Sequence, residues 1–303
     1  MHSHARLVAG VKRDCTPKTS VRSVVFLCIF LLGSSQIIAR SEEQFGRTYH
    51  AYRSGSYYYP NDPTEIERLD NQYEIIKMVM DGRKYLAPFS RETPPRRVLD
   101  IGTGTGTWAI EMGDEFPNAE IVRTDLSPIQ PEYVPQREEW DFRNTFDYIH
   151  TRVTLGCWSD MKTQIIQRTY DNLEPGGWLE CQEPDIIPAC DDNTMTPDYG
   201  WLNWANKMTA TSEKIDRQLQ IGNWLKGWFE EVGFVDVHEV YLGILWQRNM
   251  MSGLSGLSLG LFGRVLNKTV EEIEVSLVDV RNSFFNRRGS SSSWDENQRP
   301  TRS

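Results

Sequence analysis

No uninterrupted apolar stretch of this chain reaches the roughly 20 residues that a comfortable membrane span needs. The longest, Val24 to Leu32, has nine, and reaches further only if extended across small and polar residues to Ala39. Metal-ligand spacing is missing too. Cys15, Cys28, Cys157, Cys181 and Cys190 contain no C-x-x-C pair, which argues against a zinc site. Their odd number fits reduced thiols better than a disulfide framework. Basic residues are in deficit, 33 Lys and Arg against 42 Asp and Glu, for a net charge of −9. Phosphate contact needs a basic face, so direct nucleic-acid binding is not expected. What remains is a 303-residue chain with 39% hydrophobic residues, enough for the core of one large domain.

The run Arg97-Val98-Leu99-Asp100-Ile101-Gly102-Thr103-Gly104-Thr105-Gly106-Thr107 is the most informative stretch. An apolar strand ends in an acid and passes into three alternating glycines. Trp108, Ala109, Ile110 and Met112 then resume a helical rhythm. Strand, glycine turn and helix N-terminus together present free N–H groups to a nucleotide cofactor, and glycine lets the backbone approach it closely. A turn that uses glycine for geometry alone is the plainer alternative. Gly104-x-Gly106-x-x-Ala109 also fits the dinucleotide pattern. Asp100 disfavours that choice, because an anion there opposes a pyrophosphate and suits a cationic amino-acid group.

Glu120 to Asp125 reads as a second strand closing on an acid. A carboxylate roughly 20 residues beyond the glycine turn can accept both ribose hydroxyls. Opening an Asx-type turn before Ser127-Pro128 is the competing role for Asp125. Phe146 to His150 reads as a short buried strand, followed by a helix with Met161, Ile165, Ile166 and Tyr170 on one face. Leu173-Glu174-Pro175-Gly176-Gly177 then turns into the strand Trp178 to Glu183.

This series resembles the class I S-adenosylmethionine (SAM)-dependent methyltransferases. Arg47 to Asp62, Asp100 to Trp108, Thr124 to Pro131, Phe146 to His150, Gly227 to Phe234 and Phe262 to Leu266 are similar to the motifs of the fungal LaeA-like members. The likeness runs from about Phe45 to about Asn282. It implies an α/β fold: Rossmann-like, with a doubly wound, mostly parallel sheet. It implies SAM as cofactor, held by Asp100, Gly102, Thr103, Gly104, Gly106, Asp125 and Leu126. It implies methylation of a small secondary metabolite, in the cytoplasm or nucleus. A regulator of secondary metabolism working through nuclear protein partners is the alternative, and a SAM-binding remnant without turnover is a third.

The chain departs from that family in several places. Lys12, Arg13, Lys18 and Arg22 before the apolar run, with Gly33-Ser34-Ser35 after it, outline a signal peptide. Residues 1–44 are therefore set apart from a methyltransferase domain of residues 45–282, as signal, short membrane anchor (23–39), gene-model artefact or buried helix. A signal or anchor would route the chain to the secretory pathway or a membrane. Between Asp125 and Asp147 the chain is too short and too rich in proline for a helix, strand three and a crossover, so strand three is expected to be missing. The family's adenine-contacting acids would be lost or replaced by Glu138 or Glu139. The stretch from Trp246 to Met250 is also short. Leu254 to Leu266 and Val270 to Val280 read as helices, the second capped by Thr269. The polar, serine-rich tail 283–303 reads as disordered, leaving the family's final antiparallel strand unsupplied.

Three groups are candidates for catalysis or substrate contact. His150 ends strand four and is the candidate base; a structural histidine facing the cofactor is the competing role. Glu183 and Asp185 end strand five. The aromatics Tyr49, Tyr52, Tyr57, Tyr58 and Tyr59, together with Trp201, Trp204, Met208, Trp224, Trp228 and Phe229, are either core or clamps for an apolar substrate.

Overall fold

Arg97–Ile101 (β4) carries apolar side chains on both faces, as a strand buried in a parallel sheet must. Val98 and Tyr148 point to one side of the sheet, while Leu99 and Ile149 point to the other. The computed structural model describes residues 3–12, 41–51, 57–127, 129, 142, 144–190, 195–244 and 247–285. Within them the main sheet has six strands. They are Ser3–Lys12 (β1), β4, Glu120–Thr124 (β5), Phe146–Arg152 (β6), Leu173–Pro184 (β7) and Phe234–Ile244 (β8). Their order is β5-β4-β6-β7-β1-β8, with β5, β4, β6 and β7 parallel and β1 antiparallel to both its neighbours. Ser41–Gln44 (β2) and Arg47–His50 (β3) form a separate hairpin.

Helices cover both faces. Pro63–Val79 (α1) starts at Asp62, whose side chain accepts from the Glu65 N–H, with proline in the first turn. Thr107–Glu115 (α2) buries Trp108, Ala109 and Met112 on the Val98 side and leaves Ile110 exposed. A π-helical turn, Lys162–Gln167, continues into Arg168–Asn172 (α3). Gly222–Val232 (α5) packs Phe229 on the Leu99 side, and Gly200–Glu213 (α4) and Gln247–Leu266 (α6) bury Trp204 and Leu259 in the same core cluster. Val270–Ser276 (α7) opens on a capping box between Thr269 and Glu272. Val278–Phe285 (α8) follows.

Three expectations change. The place between strands five and six, thought unfilled, is taken by β1. It pairs with β7 from Ala5↔Pro184 to Val11↔Trp178, and with β8 from Ser3↔Ile244 to Lys12↔Phe234. Within the stretch 1–44, residues 3–12 are therefore part of the domain's sheet. Two strand edges with open N–H and C=O groups need a partner, and the mostly apolar run Ala5 to Val11 meets that need whichever chain end it comes from. Leu7 and Val8 are fully buried on opposite faces. A Cβ at Gly10 would stand 3.0 Å from Phe229 Cδ1, so a glycine is needed where α5 crosses the strand. The tail does not begin at 283, since Ser283 and Phe284 are buried in α8 against Trp201. The domain does not begin at 45, since β2 starts at Ser41.

The apolar run 24–32, Glu138, Glu139, most of the strand-three stretch and residues 286–303 lie outside the described residues. Among those described, β5 and β8 are the sheet edges, and no helix is long and apolar enough to cross a membrane.

Candidate functional site

The site forms at the C-terminal ends of β4, β5 and β6, where the strand order reverses and a crevice must open. Gly102, Gly104 and Gly106 all adopt left-handed backbone, with φ of 69°, 59° and 83°. That conformation favours glycine and curls the loop back onto β5. Gly102 and Thr103 both donate to the Thr124 carbonyl, at 2.9 and 3.1 Å. The N–H of Gly104 donates to Asp125 Oδ2 at 2.8 Å. Asp125 Oδ1 accepts from Ser127 N, also at 2.8 Å. Asp125 thus opens the Asx turn weighed for it and, beyond that, closes the glycine loop. Burial pushes its carboxyl up to about 6, against the backbone donors of Ser127, Gly104 and Leu126 that pull it down.

Asp100 is buried beneath this loop. Its Oδ2 accepts from Thr103 Oγ1 at 2.6 Å, and its Oδ1 lies 2.8 Å from His150 Nδ1. The His150 ring stacks on Trp108 with centroids 3.8 Å apart and planes 7° from parallel. Trp108 is itself held by its indole N–H, which donates to the Lys84 carbonyl. His150 is 1% exposed, and its Nε2 is buried without a partner. Burial lowers its pKa, with Asp100 opposing. This placement fits the histidine that faces the cofactor loop and holds Asp100, rather than a base presenting Nε2 to an acceptor.

A cavity lies over the loop. Its wall includes Asp100, Gly102, Gly104, Asp125, Leu126 and His150. Thr103 lines it as well, while Gly106 caps α2 just behind. The predicted cofactor residues are thus brought together.

Sequence reasoning missed Arg152. It ends β6 at this cavity, donating through Nε to Gln182 Oε1 at 2.7 Å and through Nη2 to the Lys84 carbonyl at 3.0 Å. Its Nη1 is buried without a partner, and burial lowers its pKa. A basic residue two positions after His150 on the same strand was the available signal. Glu183 and Asp185 separate. Glu183 is fully buried and accepts from the N–H groups of Thr154 and Leu155 and from Thr154 Oγ1. Burial pushes it up to about 7 against those bonds. It pins the loop after β6 and does not face an acceptor. Asp185 pairs with Arg6 of β1 at 3.3 Å and lines a second, neighbouring cavity. Of the tyrosines, Tyr49 is core, Tyr57 lines both cavities, and Tyr52 lies outside the described residues. Among the described residues no group of histidine, cysteine and acidic side chains could hold a metal ion.

Comparison with known proteins matches residues 70–239 to a family described as "Methyltransferase domain". The chain is 34% identical over 273 residues to "Methyltransferase pytC" of Aspergillus terreus, covering 82% of this chain and 83% of that one. It is 33% identical over 262 residues to "Secondary metabolism regulator LAE1" of Gibberella fujikuroi, covering 78% and 82%. It is 29% identical over 279 residues to "Protein-methionine methyltransferase laeA" of Emericella nidulans, covering 81% and 72%.

Proposed function

Because the chain belongs to the methyltransferase domain family, we propose that it is a SAM-dependent methyltransferase acting on a small secondary metabolite. The observation that carries this reading is the closure of the left-handed glycine loop on Asp125 at the wall of a cavity. The residues fit the cofactor. Gly102 and Gly104 leave the backbone bare for close approach. The Asp125 carboxylate, at the cavity wall, suits the ribose hydroxyls as an acceptor. The partnerless Nη1 of Arg152 suits the amino-acid carboxylate, which would offset the cost of burying that cation. When bound, SAM supplies an activated methyl group. The chain's part is then to hold donor and acceptor in line and to exclude water. Asp100 and Thr103 keep the loop in shape. His150, stacked on Trp108, acts as a positioning residue for Asp100.

Calorimetry tests the cofactor assignment. The full chain should bind SAM, and Arg152→Met should bind it roughly tenfold more weakly, the loss of about one charge-assisted hydrogen bond. Tight binding of NADH with none of SAM would overturn the reading.

A second reading, a regulator working through nuclear protein partners, draws on the likeness to LAE1. Incubation with methyl-labelled SAM, a fungal metabolite extract and a nuclear protein extract separates the two. Label in the organic-soluble fraction supports the metabolite enzyme, label on protein supports the regulator, and SAM binding without transfer supports a remnant. Cytoplasm or nucleus goes with either active reading, and secretion of the tagged full chain would overturn that placement.

A further inference from the structure

Beside the cofactor cavity lies a second one, of about 720 Å³ including space open to solvent. The two share Tyr57, Leu69, Gln72 and Val153 in their walls, so they adjoin each other. The second cavity is floored by α4 and α6: Trp201, Trp204, Met208, Met250 and Leu257 face it. Both indole N–H groups are committed elsewhere, Trp201 to the Ile186 carbonyl at 3.1 Å and Trp204 to Ser258 Oγ at 2.8 Å. What the tryptophans leave for a ligand is ring surface.

The wall contains two charged side chains, and each is already matched. Arg68 donates to both oxygens of Glu65, at 2.9 and 2.6 Å, and to Asn249 Oδ1 at 3.0 Å. Asp185 is paired with Arg6 from β1. A charged ligand would lose its hydration here without gaining an unpaired counter-ion, which costs more than a neutral ligand loses. Two polar side chains stand at the junction with the cofactor cavity, Tyr57 with its hydroxyl and Gln72 with its amide, and the amide can both donate and accept. A thioether or sulfur-containing side chain would find apolar contact but would leave that amide unmatched.

We propose that this cavity is the acceptor pocket and that it selects a neutral, planar, apolar molecule carrying one hydroxyl directed toward Gln72. The word acceptor rests on the methyltransferase reading. The selectivity rests on the lining alone and is testable without turnover.

Calorimetry on the full chain uses 2-naphthol as the neutral probe, 2-naphthoate as the anionic one and a methionine-containing tripeptide as the protein-side-chain analogue. Saturable binding of 2-naphthol, at least about tenfold tighter than either alternative, is expected. Met250→Trp, which fills the pocket, and Leu257→Asp, which places an unpaired charge in it, should each weaken 2-naphthol binding about tenfold or more. SAM binding should stay within about twofold in both variants, which also reports that they are folded. Equal or tighter binding of 2-naphthoate or of the peptide would overturn the proposal, the latter in favour of a protein substrate. So would 2-naphthol binding that both variants leave untouched. Failure of the wild-type chain to bind SAM would strike the function proposed above and leave the 2-naphthol result standing.

Discussion

Asp125 and Gly104 meet through one hydrogen bond, and that contact ties the glycine loop to the strand that carries the acid. The nearest protein atom to a Cβ built on Gly104 is Leu69 Cδ1 at 4.0 Å, so the added methyl would stand in open space at the cavity. Its backbone has φ of 59°, which costs an L-residue roughly 1–2 kcal/mol. Gly104→Ala is therefore expected to weaken SAM binding by at least about tenfold, measured by calorimetry, and to lower stability by roughly 1–2 kcal/mol. Asp125 adds a pH dependence. With its carboxyl at about 6, the acceptor form is present at neutral pH and is lost as pH falls through that value. SAM affinity measured from pH 8 to pH 5 should drop below about pH 6. Asp125→Asn should bind weakly at every pH and show no such drop.

At the scale of elements, β1 decides whether the sheet is whole. Deleting residues 1–12 would open β7 and β8 along their full shared length, and open strand edges invite aggregation. The deleted chain is expected to be insoluble where the full chain is soluble, as read by size-exclusion chromatography. Soluble, monomeric protein with an unchanged melting temperature would show that β1 is dispensable. A milder probe is Leu7→Ala, which removes a fully buried side chain. It should cost about 2–5 kcal/mol in denaturant unfolding. Completion of the sheet by β1 also removes one of the two gaps that the sequence led us to expect in it. The remaining departure, the short stretch before β6, falls outside the described residues. Helix α1 has a related role on the other side of the site, because Asp70 accepts from Thr107 Oγ1 at the start of α2 and Leu69 and Gln72 face both cavities.

For the whole molecule, two buried carboxylates set how stability varies with pH. Burial raises Glu183 to about 7 and Asp125 to about 6. A group whose folded pKa is raised holds its proton more tightly folded than unfolded. Its contribution is therefore complete below the unfolded value, near 4, and is lost as pH rises through the folded value. Melting temperature should accordingly fall between about pH 5 and pH 7.5, by an amount on the order of 1–3 kcal/mol in stability. Glu183→Gln keeps a side chain that can accept from Thr154 and removes the titration, so its profile should be flatter over that interval. A wild-type profile that rises through this range would contradict the burial of Glu183. Glu180 has a comparable structural place: it accepts from the N–H groups of Leu86 and Ala87 and from the Tyr148 hydroxyl, fastening the chain before β4 to the middle of the sheet.

The sequence by itself determined what depends on neighbours along the chain. Asp100 and the three glycines, Asp125 after β5, the strand that carries His150 and the Thr269 cap were legible because strand periodicity, left-handed turns and capping are local. Composition alone argued against zinc and nucleic acid as partners. The tertiary structure decided what depends on which surfaces meet. Only the folded chain shows Ser3–Lys12 filling a gap whose other edges lie more than 160 residues away, because strand pairing needs an open edge and a matching apolar face, not a given chain end. Only the folded chain buries Glu183 under Thr154, stacks His150 on Trp108, and leaves Arg152 with a nitrogen lacking a partner. The same holds for the second cavity. Trp201, Trp204 and Met208 have the helical spacing of ordinary core residues, and they line a pocket because α1, α4 and α6 do not quite close over them.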